Sequence, residues 1–399
     1  MKHAAVMGYG TVGSGVYEVL TKNKEVVSKN VGEELNVKYV LDLRDFPGEP
    51  VEQVLTHDFE EILNDDQVSV VAEVMGGIEP AYTFTKKCLL AGKSVCTSNK
   101  ALVEKHGAEL LAIAKEKNVN YLFEASVGGG IPIIRPLHTC LTADVIEEIS
   151  GILNGTTNYM LTKMSEEGAD YAEVLKDAQE KGYAERNPEA DVEGHDAGRK
   201  IAILTSLISG KKVDFEDLFC EGITKVTPAD IAYAKKLGYA IKLLATSKKQ
   251  GDGYSIMVSP KMLGASHPLY SVNDVFNAIF VKGNMLGDSM FYGSGAGKLP
   301  TASAVAGDMV EAAKAAGNTG HFWSEEKLAL ADISTVVNRF FVRTAASEEE
   351  VKAVFGNVCV MTDVLEGELG FVTEPMTEAA YQANAEKLNG IISMIRVEG

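Results

Sequence analysis

The chain has 399 residues, of which 46% are hydrophobic and 24% charged, and its formal net charge is −18. This length predicts two or three domains, and the composition is that of a globular protein with a sizeable core. The acidic balance, with a pI near 4.9 and no run of lysine or arginine, disfavours a nucleic-acid partner because a phosphate backbone would be repelled.

The five cysteines are scattered and form no C-x-x-C pair, so we expect reduced thiols rather than a disulfide framework or a zinc site. The first residues run directly into a short apolar strand, without the apolar region and cleavage site of a signal peptide. Because the sequence has no stretch of about 18 apolar residues, it predicts no membrane span. We therefore expect a cytoplasmic protein.

The first third of the chain alternates short apolar runs with helical patterns. The predicted strands are Ala4–Met7, Val37–Leu41, Val68–Val74, Ser94–Thr97 and Asn120–Phe123. The predicted helices are Val12–Leu20, Phe59–Leu63, Pro80–Ala91 and Ala101–Lys117. This alternation predicts βαβ units and a parallel sheet, and the nearly all-apolar strands indicate that both faces of the sheet are covered.

From about Ile146 the pattern changes to an α+β region whose sheet is covered on one face. Its predicted strands are Val145–Leu153, Ile241–Thr246, Tyr254–Ser259 and Asn277–Val281. Its predicted helices are Tyr159–Glu167, Tyr171–Lys181 and Ala197–Ser209, followed by Thr301–Ala316 and Glu325–Asn338. The last 60 residues predict the order Phe340–Thr344, helix Glu348–Phe355, Val358–Asp363, Glu368–Thr373, helix Glu378–Lys387 and Ile391–Val397. That βαββαβ order is a ferredoxin-like arrangement.

A glycine-rich turn follows the first predicted strand and opens a helix. Gly8-Tyr9-Gly10-Thr11-Val12-Gly13 has the G-x-G-x-x-G spacing. In this context the first glycine makes the turn, the second admits a pyrophosphate, and the third packs the helix on the strand. A tight strand–helix turn without a ligand is the alternative. The position favours a Rossmann-type dinucleotide-binding domain over 1–132, completed by about 295–337, with Gly8, Gly10, Thr11, Val12 and Gly13 at the cofactor.

The end of the second predicted strand bears on cofactor choice. Asp42 favours the ribose 2′-hydroxyl of NAD, and Arg44 accommodates the 2′-phosphate of NADP. Since both are present, the sequence leaves the choice open. We expect NADP(H) to be preferred and NAD(H) to be accepted. The alternative for Arg44 is that it is a solvent-exposed charge on a loop and contacts no cofactor.

Two further segments directly follow predicted strands of this region and are candidates for ligand binding. Lys100, in Cys96-Thr97-Ser98-Asn99-Lys100-Ala101, would lie at the carboxyl end of a strand, where ligands bind in open parallel sheets, although a lone lysine there is usually on the surface. In Glu124–Pro132, three glycines precede a proline, so that the backbone can present carbonyls beside Glu124 to a hard cation. A hinge between two domains is the alternative for this segment.

Acidic residues, helix breakers and a lysine are concentrated in Ala178–Lys200. Asp196 and Lys200 are four residues apart and face the same side of a helix. On the surface they would form a modest ion pair, whereas in a cleft the lysine would be suited to proton transfer. Glu185 and Asp191 add carboxylates that can hold an ammonium group.

These segments resemble the homoserine dehydrogenase family. Ala178–Lys200 matches its signature of alanine, glycine, asparagine–proline, aspartate, glycine, aspartate and lysine in fixed spacing. Other family-like motifs are Gly151–Tyr159, Glu124–Pro132, Ser98–Leu102 and Gly293–Thr301. The resemblance extends from Gly8 to about Asn338, and it implies NAD(P)-dependent hydride transfer between L-homoserine and L-aspartate 4-semialdehyde, in the biosynthesis of threonine and methionine.

The resemblance also implies roles for single residues. Lys200 would be the proton donor and acceptor, and Lys100 would assist near the substrate and the nicotinamide. Substrate binding is expected at Glu185, Asp196 and Asp191. Further cofactor contacts are expected at Arg44, Gly76, Lys100, Gly182 and Gly297. A monovalent cation, usually sodium, would be held by Glu124 and the carbonyls of Val127, Gly129 and Ile131. Residues 133–294 would supply catalysis and pairing in a homodimer or homotetramer.

The C-terminal unit, 338–399, resembles the amino-acid-binding ACT domain. The family's aspartate–proline–glycine turn is absent, since the chain has Arg343-Thr344-Ala345-Ala346-Ser347-Glu348 there. That turn normally presents backbone to an effector, so we expect a structural or dimerising role rather than threonine inhibition. Two alternatives for the whole chain are a dehydrogenase of the same fold with another amino-acid or hydroxy-acid substrate, and a ligand sensor without turnover.

Overall fold

The structure is a computed structural model that describes residues 1–315, 317 and 323–398. The chain divides into two compact units. Unit 1 comprises 1–145, 202–215 and 291–328, and unit 2 comprises 146–201, 216–290 and 329–399. The domain boundaries predicted at 132 and 338 stay predictions. Within the described ranges, no helix combines the length and the apolar character that crossing a membrane requires.

The helices, in chain order, are α1 Thr11–Lys22, α2 Lys24–Val31, α3 Phe59–Leu63, α4 Ala81–Leu90, α5 Lys100–Lys117, α6 Ile134–Thr139, α7 Gly155–Glu167, α8 Tyr171–Glu180, α9 Glu189–Val192, α10 His195–Ser209, α11 Pro228–Leu237, α12 Lys298–Lys314, α13 Glu348–Phe355 and α14 Glu378–Ala385. The strands are β1 Lys2–Met7, β2 Leu35–Leu41, β3 Leu55–Thr56, β4 Val68–Glu73, β5 Ser94–Thr97, β6 Tyr121–Leu122, β7 Ile146–Ile152, β8 Lys211–Lys212, β9 Phe219–Cys220, β10 Tyr239–Gln250, β11 Gly253–Gly264, β12 Phe276–Gly283, β13 Gly287–Ser294, β14 Ser324–Lys327, β15 Val337–Thr344, β16 Val358–Met361, β17 Leu369–Thr373, β18 Met376–Thr377 and β19 Ile391–Glu398.

Unit 1 is built on a parallel sheet with the strand order β3-β2-β1-β4-β5-β6. The order reverses between β1 and β4, and ligands of open α/β sheets bind outside the carboxyl ends of the strands at such a point. Helix α12 packs on this sheet, where Val305 and Met309 join the core formed by Val6 and Val16. The predicted parallel α/β fold is confirmed.

Unit 2 is built on a larger mixed sheet with the order β13-β12-β7-β10-β11-β19-β15-β17-β16. Four of the five strands of the C-terminal segment form its far end in the order β19-β15-β17-β16, with antiparallel pairs throughout, and the two-residue strand β18 pairs with the start of β15. This is the strand order of a ferredoxin-like arrangement, as predicted. Strand β19 also pairs in parallel with β11, so the C-terminal segment shares one sheet with the rest of unit 2.

The predicted helix Glu325–Asn338 is wrong. The segment instead forms β14, a single 3₁₀ turn at Ile333–Thr335, and the start of β15. Pairing of β14 with β8 fixes the first part as a strand, although its local sequence favours helix. The predicted helix Thr301–Ala316 is observed as α12, which begins three residues earlier, and Ala316 lies outside the described residues.

Candidate functional site

The glycine-rich turn joins β1 to α1. Gly8 has φ +99, and a Cβ there would lie 3.0 Å from the Cα of Met75. A Cβ on Gly13 would lie 1.8 Å from the carbonyl oxygen of Gly8, so only glycine allows this helix start to approach the strand. A Cβ added to Gly10 would meet no heavy atom within 4 Å, so the space in front of the helix N-terminus is open. Thr11 and Val12 form the first positions of α1.

A cavity of about 550 Å³ adjoins this turn, and that volume lies within the range of small-molecule and cofactor sites. Four residues predicted at the cofactor line it, namely Gly8, Gly10, Arg44 and Gly76. They come from the ends of β1, β2 and β4, which are neighbours in the sheet. The geometry therefore places one continuous cavity at the switch point where a dinucleotide would bind.

Asp42 and Arg44 form an ion pair at the mouth of this cavity. The guanidinium Nε and Nη2 donate to the two oxygens of Asp42 at 2.9 and 3.0 Å, and the Tyr9 N–H donates to the same carboxylate at 2.8 Å. These bonds hold the pKa of Asp42 well below its usual range. The side chain of Arg44 is 62% exposed, so it can turn towards a ligand phosphate.

His57 is a cavity residue that the sequence did not indicate, because a lone histidine after a two-residue strand gives no signal. Its Nδ1 lies 2.6 Å from the carbonyl oxygen of Asp42, and its Nε2 lies 3.0 Å from Asp45 Oδ1. These two acceptors raise the pKa of the imidazole. With Arg44, His57 adds a second group that can be positive beside the predicted ribose position.

Lys100 is the first residue of α5 and follows the carboxyl end of β5. Asn99 caps this helix by accepting from the Leu102 N–H at 3.2 Å, and its Nδ2 donates to the Gly77 carbonyl at 2.5 Å. The start of α5 is thereby tied to the loop that contains Gly76. Lys100 thus lies at the same edge of the sheet as the glycine turn, as the sequence predicted.

Lys200 lies in a largely buried polar cluster of unit 2. Its Nζ donates to Asp196 Oδ2 and to the Leu153 carbonyl, both at 2.7 Å, and its side chain is 11% exposed. Asn154, the N-cap of α7, donates to Asp196 at 2.9 Å and to Asp191 at 2.7 Å. Asp196 and Lys200, one helical turn apart, therefore form a largely buried ion pair. Asn154 joins two of the carboxylates that the sequence predicted to bind the substrate.

Glu185 and Gly182 lie in the turn after α8. Gly182 has φ +75, and Thr156 at the start of α7 donates to the Tyr183 carbonyl at 2.5 Å. The turn is therefore attached beside the Lys200 cluster. The carboxylate of Glu185 is exposed and makes no hydrogen bond or ion pair with the described part of the chain, so its role in substrate binding stays a prediction.

Glu124 is buried and accepts backbone N–H groups at the start of α6. Its Oε1 accepts from Ile133 and Ile134 at 2.6 and 2.8 Å, and its Oε2 accepts from Arg135 at 2.8 Å. A carboxylate has about four acceptor positions, so these bonds leave room for one further partner such as a cation. The structure thus gives Glu124 a helix-capping role that the sequence did not predict.

The backbone around the predicted cation ligands is held by two neighbours. The Glu124 N–H donates to Asp308 at 2.8 Å, and Asp308 is paired with Arg135. Burial raises the pKa of Asp308 to about 7, although Arg135 opposes this shift. Among the described residues, no three acidic, histidine or cysteine side chains come together as metal ligands, so a cation at Glu124 would depend on carbonyl oxygens.

Two glycine-rich segments of unit 1 pack against each other. A Cβ on Gly129 would lie 2.4 Å from the Gly295 carbonyl oxygen, and the Gly130 N–H donates to the Ser294 carbonyl at 3.1 Å. Gly297, with φ +113, is the N-cap of α12. The sequence predicted separate roles for Gly129 and Gly297 but gave no sign that their segments are in contact.

Two family models match the chain. The model described as homoserine dehydrogenase, NAD binding domain, matches residues 8–124, and the model described as homoserine dehydrogenase matches 132–310. A homoserine dehydrogenase of Mycobacterium tuberculosis is 39% identical in an alignment of 432 positions, gaps included, that covers 99% of this chain and 97% of the relative. The chain belongs to the homoserine dehydrogenase family. It is accordingly an NAD(P)-dependent oxidoreductase, as the motifs predicted.

Other relatives and solved structures to which the chain is similar are also homoserine dehydrogenases. A homoserine dehydrogenase of Bacillus subtilis is 44% identical over 316 residues, which cover 77% of this chain and 72% of the relative. The crystal structure of a homoserine dehydrogenase from Thiobacillus denitrificans has a TM-score of 0.91 at 32% identity and covers 100% of this chain and 98% of its own. A hyperthermophilic archaeal homoserine dehydrogenase in complex with NADPH has a TM-score of 0.67 at 29% identity, with 78% of this chain and 98% of its own covered.

Proposed function

We propose that Lys200 is the proton donor and acceptor in the interconversion of L-homoserine and L-aspartate 4-semialdehyde. The observation that supports this role is the position of the Lys200 ammonium, on a side chain only 11% exposed, between Asp196 and the Leu153 carbonyl. When bound, the nicotinamide accepts or delivers the hydride. In oxidation, neutral Lys200 takes the hydroxyl proton as the terminal C–H bond breaks and its hydrogen leaves with the electron pair. In reduction, the ammonium returns a proton to the aldehyde oxygen.

The remaining members of the cluster are assigned to the substrate. Asp196 orients the amine of Lys200, and Asp191 and Glu185 attract the ammonium group of homoserine. Lys100 is assigned to electrostatic support near the nicotinamide. Gly182 and Gly297 are assigned to the cofactor on the family resemblance.

A steady-state assay tests whether homoserine is the substrate. Purified enzyme is expected to oxidise homoserine with NADP and, less efficiently, with NAD, and to leave simple 2-hydroxy acids unchanged. Turnover of a 2-hydroxy acid with comparable kcat/KM would favour the alternative dehydrogenase. Binding of NADPH without turnover of any substrate would favour the sensor.

We infer that NADP(H) is preferred, because Arg44 and His57 both border the cavity beside the predicted ribose position. Arg44→Ala is expected to raise the KM for NADP at least tenfold while the KM for NAD changes little, since hydrogen bonds to charged groups contribute about 1.5–3 kcal/mol. Asp42, released from its partner, would repel a 2′-phosphate but still accept from a 2′-hydroxyl. The ratio of kcat/KM with the two cofactors measures the change.

Lys38→Ala is the matched control for Arg44→Ala. Lys38 lies on the preceding strand, β2, and pairs with Asp65, so its removal changes the net charge equally without touching the cavity. An equal loss of NADP preference in both variants would mean that the effect is one of net charge, and the assignment of Arg44 would be wrong.

We propose a structural monovalent cation, in practice sodium, held by Glu124 and the carbonyls of Val127, Gly129 and Ile131. The remaining acceptor position of Glu124 and the oxygen-only donor set support it. Replacing sodium chloride with choline chloride at equal ionic strength is expected to lower the midpoint of thermal unfolding. Glu124→Gln should be less stable by about 1–3 kcal/mol, because it leaves backbone donors of α6 unpaired, and should not respond to sodium. Equal midpoints for the unchanged protein in both salts would remove the cation from the proposal.

We propose that the C-terminal segment is structural and that the enzyme is a cytoplasmic homodimer or homotetramer. Arg343, which is buried, forms ion pairs with Asp230 at 3.0 Å and Glu368 at 2.8 Å, so the segment is fixed to α11.

Exposed apolar side chains at and near the edge strand β13, among them Met285 and Met290, favour association of subunits. Light scattering measures the assembly.

A further inference from the structure

The segment 272–277, before and at the start of β12, packs against the beginning of α7. A Cβ on Gly155 would lie 2.7 Å from the Val275 carbonyl oxygen and 3.4 Å from Asn277 Oδ1. Strand β12 pairs with β7 so that Ala278 is opposite Ile152. The segment therefore lies directly behind Leu153 and Asn154, which contact Lys200 and Asp196.

Asn158 holds this segment from α7. Its Nδ2 lies within hydrogen-bonding distance of three carbonyl oxygens, those of Val272 at 3.2 Å, Asp274 at 3.0 Å and Phe276 at 3.0 Å. Asp274 has φ +56, a conformation that residues other than glycine rarely adopt. The Asn158 amide thus holds the segment on both sides of Asp274, whose N–H also donates to the Thr162 hydroxyl at 3.1 Å.

Lys242 holds the same segment from β10. Its Nζ donates to the Val272 carbonyl at 2.6 Å and to Asn273 Oδ1 at 2.8 Å, and the residue is 2% exposed. Within the described chain it forms no ion pair, so a buried cation is held by neutral oxygens, which is a costly arrangement. Burial lowers its pKa to about 8, and the charges of Asp274 and Glu166 oppose the shift.

We propose that Lys242 and Asn158 are positioning residues, which hold segment 272–277 against Gly155 and so fix the Leu153 carbonyl and Asn154 around Lys200. The proposal rests on the proposed role of Lys200. A small displacement of Leu153 or Asn154 would change the orientation of the lysine amine, and catalytic rates are sensitive to shifts of about 1 Å. The cofactor residues of unit 1 play no part in it.

Lys242→Met tests the proposal, with Lys261→Met as its matched control. Lys261 is opposite Lys242 in the β10–β11 register, is also 2% exposed, and donates to Glu398 instead of the segment. Lys242→Met and Asn158→Leu are each expected to lower kcat for homoserine about tenfold, with an unchanged KM for NADP. Lys261→Met is expected to lose stability but to keep kcat within about twofold, once rates are scaled to the folded fraction from circular dichroism.

Lys242→Arg is expected to restore most of the lost kcat, because it returns a donor to the Val272 carbonyl. Wild-type kcat in folded Lys242→Met, or an equal loss in Lys261→Met, would overturn the positioning role. Lys200→Ala, assayed in parallel, separates the two proposals. Loss of turnover in Lys200→Ala with normal Lys242→Met overturns the positioning role alone, whereas normal turnover in Lys200→Ala overturns the proposed function.

Discussion

Lys200→Ala is expected to lower kcat for homoserine at least a hundredfold, because a positioned general acid or base contributes about 10²–10⁴ in rate. The substituted side chain cannot donate to the aldehyde oxygen, and Asp196 would lose its hydrogen bond with the Lys200 ammonium. Fluorescence titration with NADPH is expected to give a nearly unchanged Kd, since all residues assigned to the cofactor except Gly182 lie in unit 1.

Lys176→Ala is the control for Lys200→Ala. Lys176 belongs to the same unit, but its side chain is 78% exposed and its ion pair with Glu180 is 3.9 Å long. We expect normal turnover and stability in this variant, because surface ion pairs contribute about 0–1 kcal/mol. Turnover near the unchanged rate in Lys200→Ala would show that another group transfers the proton.

Gly13→Ala is expected to lose both stability and NADP(H) binding, whereas Gly10→Ala is expected to lose NADP(H) binding alone. In Gly13→Ala the new Cβ would lie 1.8 Å from the Gly8 carbonyl oxygen, so the turn must shift. We expect a loss of about 1–3 kcal/mol in the free energy of unfolding, together with a loss of NADP(H) binding. In Gly10→Ala the Cβ meets open space, so the free protein should keep its stability, while the KM for NADP should rise at least tenfold because the Cβ occupies the approach of the pyrophosphate.

Gly307→Ala controls for the addition of a methyl group. Gly307 lies in α12 with no heavy atom near its Cβ position, so this variant should gain about 0.5–1 kcal/mol in stability and bind NADP normally. Denaturant unfolding and steady-state kinetics measure both quantities. Unimpaired NADP kinetics in Gly10→Ala would mean that the pyrophosphate does not pass over this turn.

The sequence predicted most elements because their patterns are local. The apolar run before Gly8 and the i, i+4 spacing of Asp196 and Lys200 each specify their structure within a few residues. The helix predicted over Glu325–Asn338 failed for the opposite reason, since its strand conformation depends on Lys211, far earlier in the chain. Asn154 belonged to a family-like motif, but its role as a link between Asp191 and Asp196 depends on the side chains of two other elements.

By itself the sequence determined the parallel α/β half, the glycine turn, the family and the helical pairing of Lys200 with Asp196. These follow from spacings along one chain segment and from ordered motifs. Only the tertiary structure decided that His57 borders the cavity beside the glycine turn, that Glu124 caps α6, and that Lys242 holds the segment behind Gly155. Those contacts join residues separated along the chain, and the burial that gives them their energy exists only after the sheets have formed.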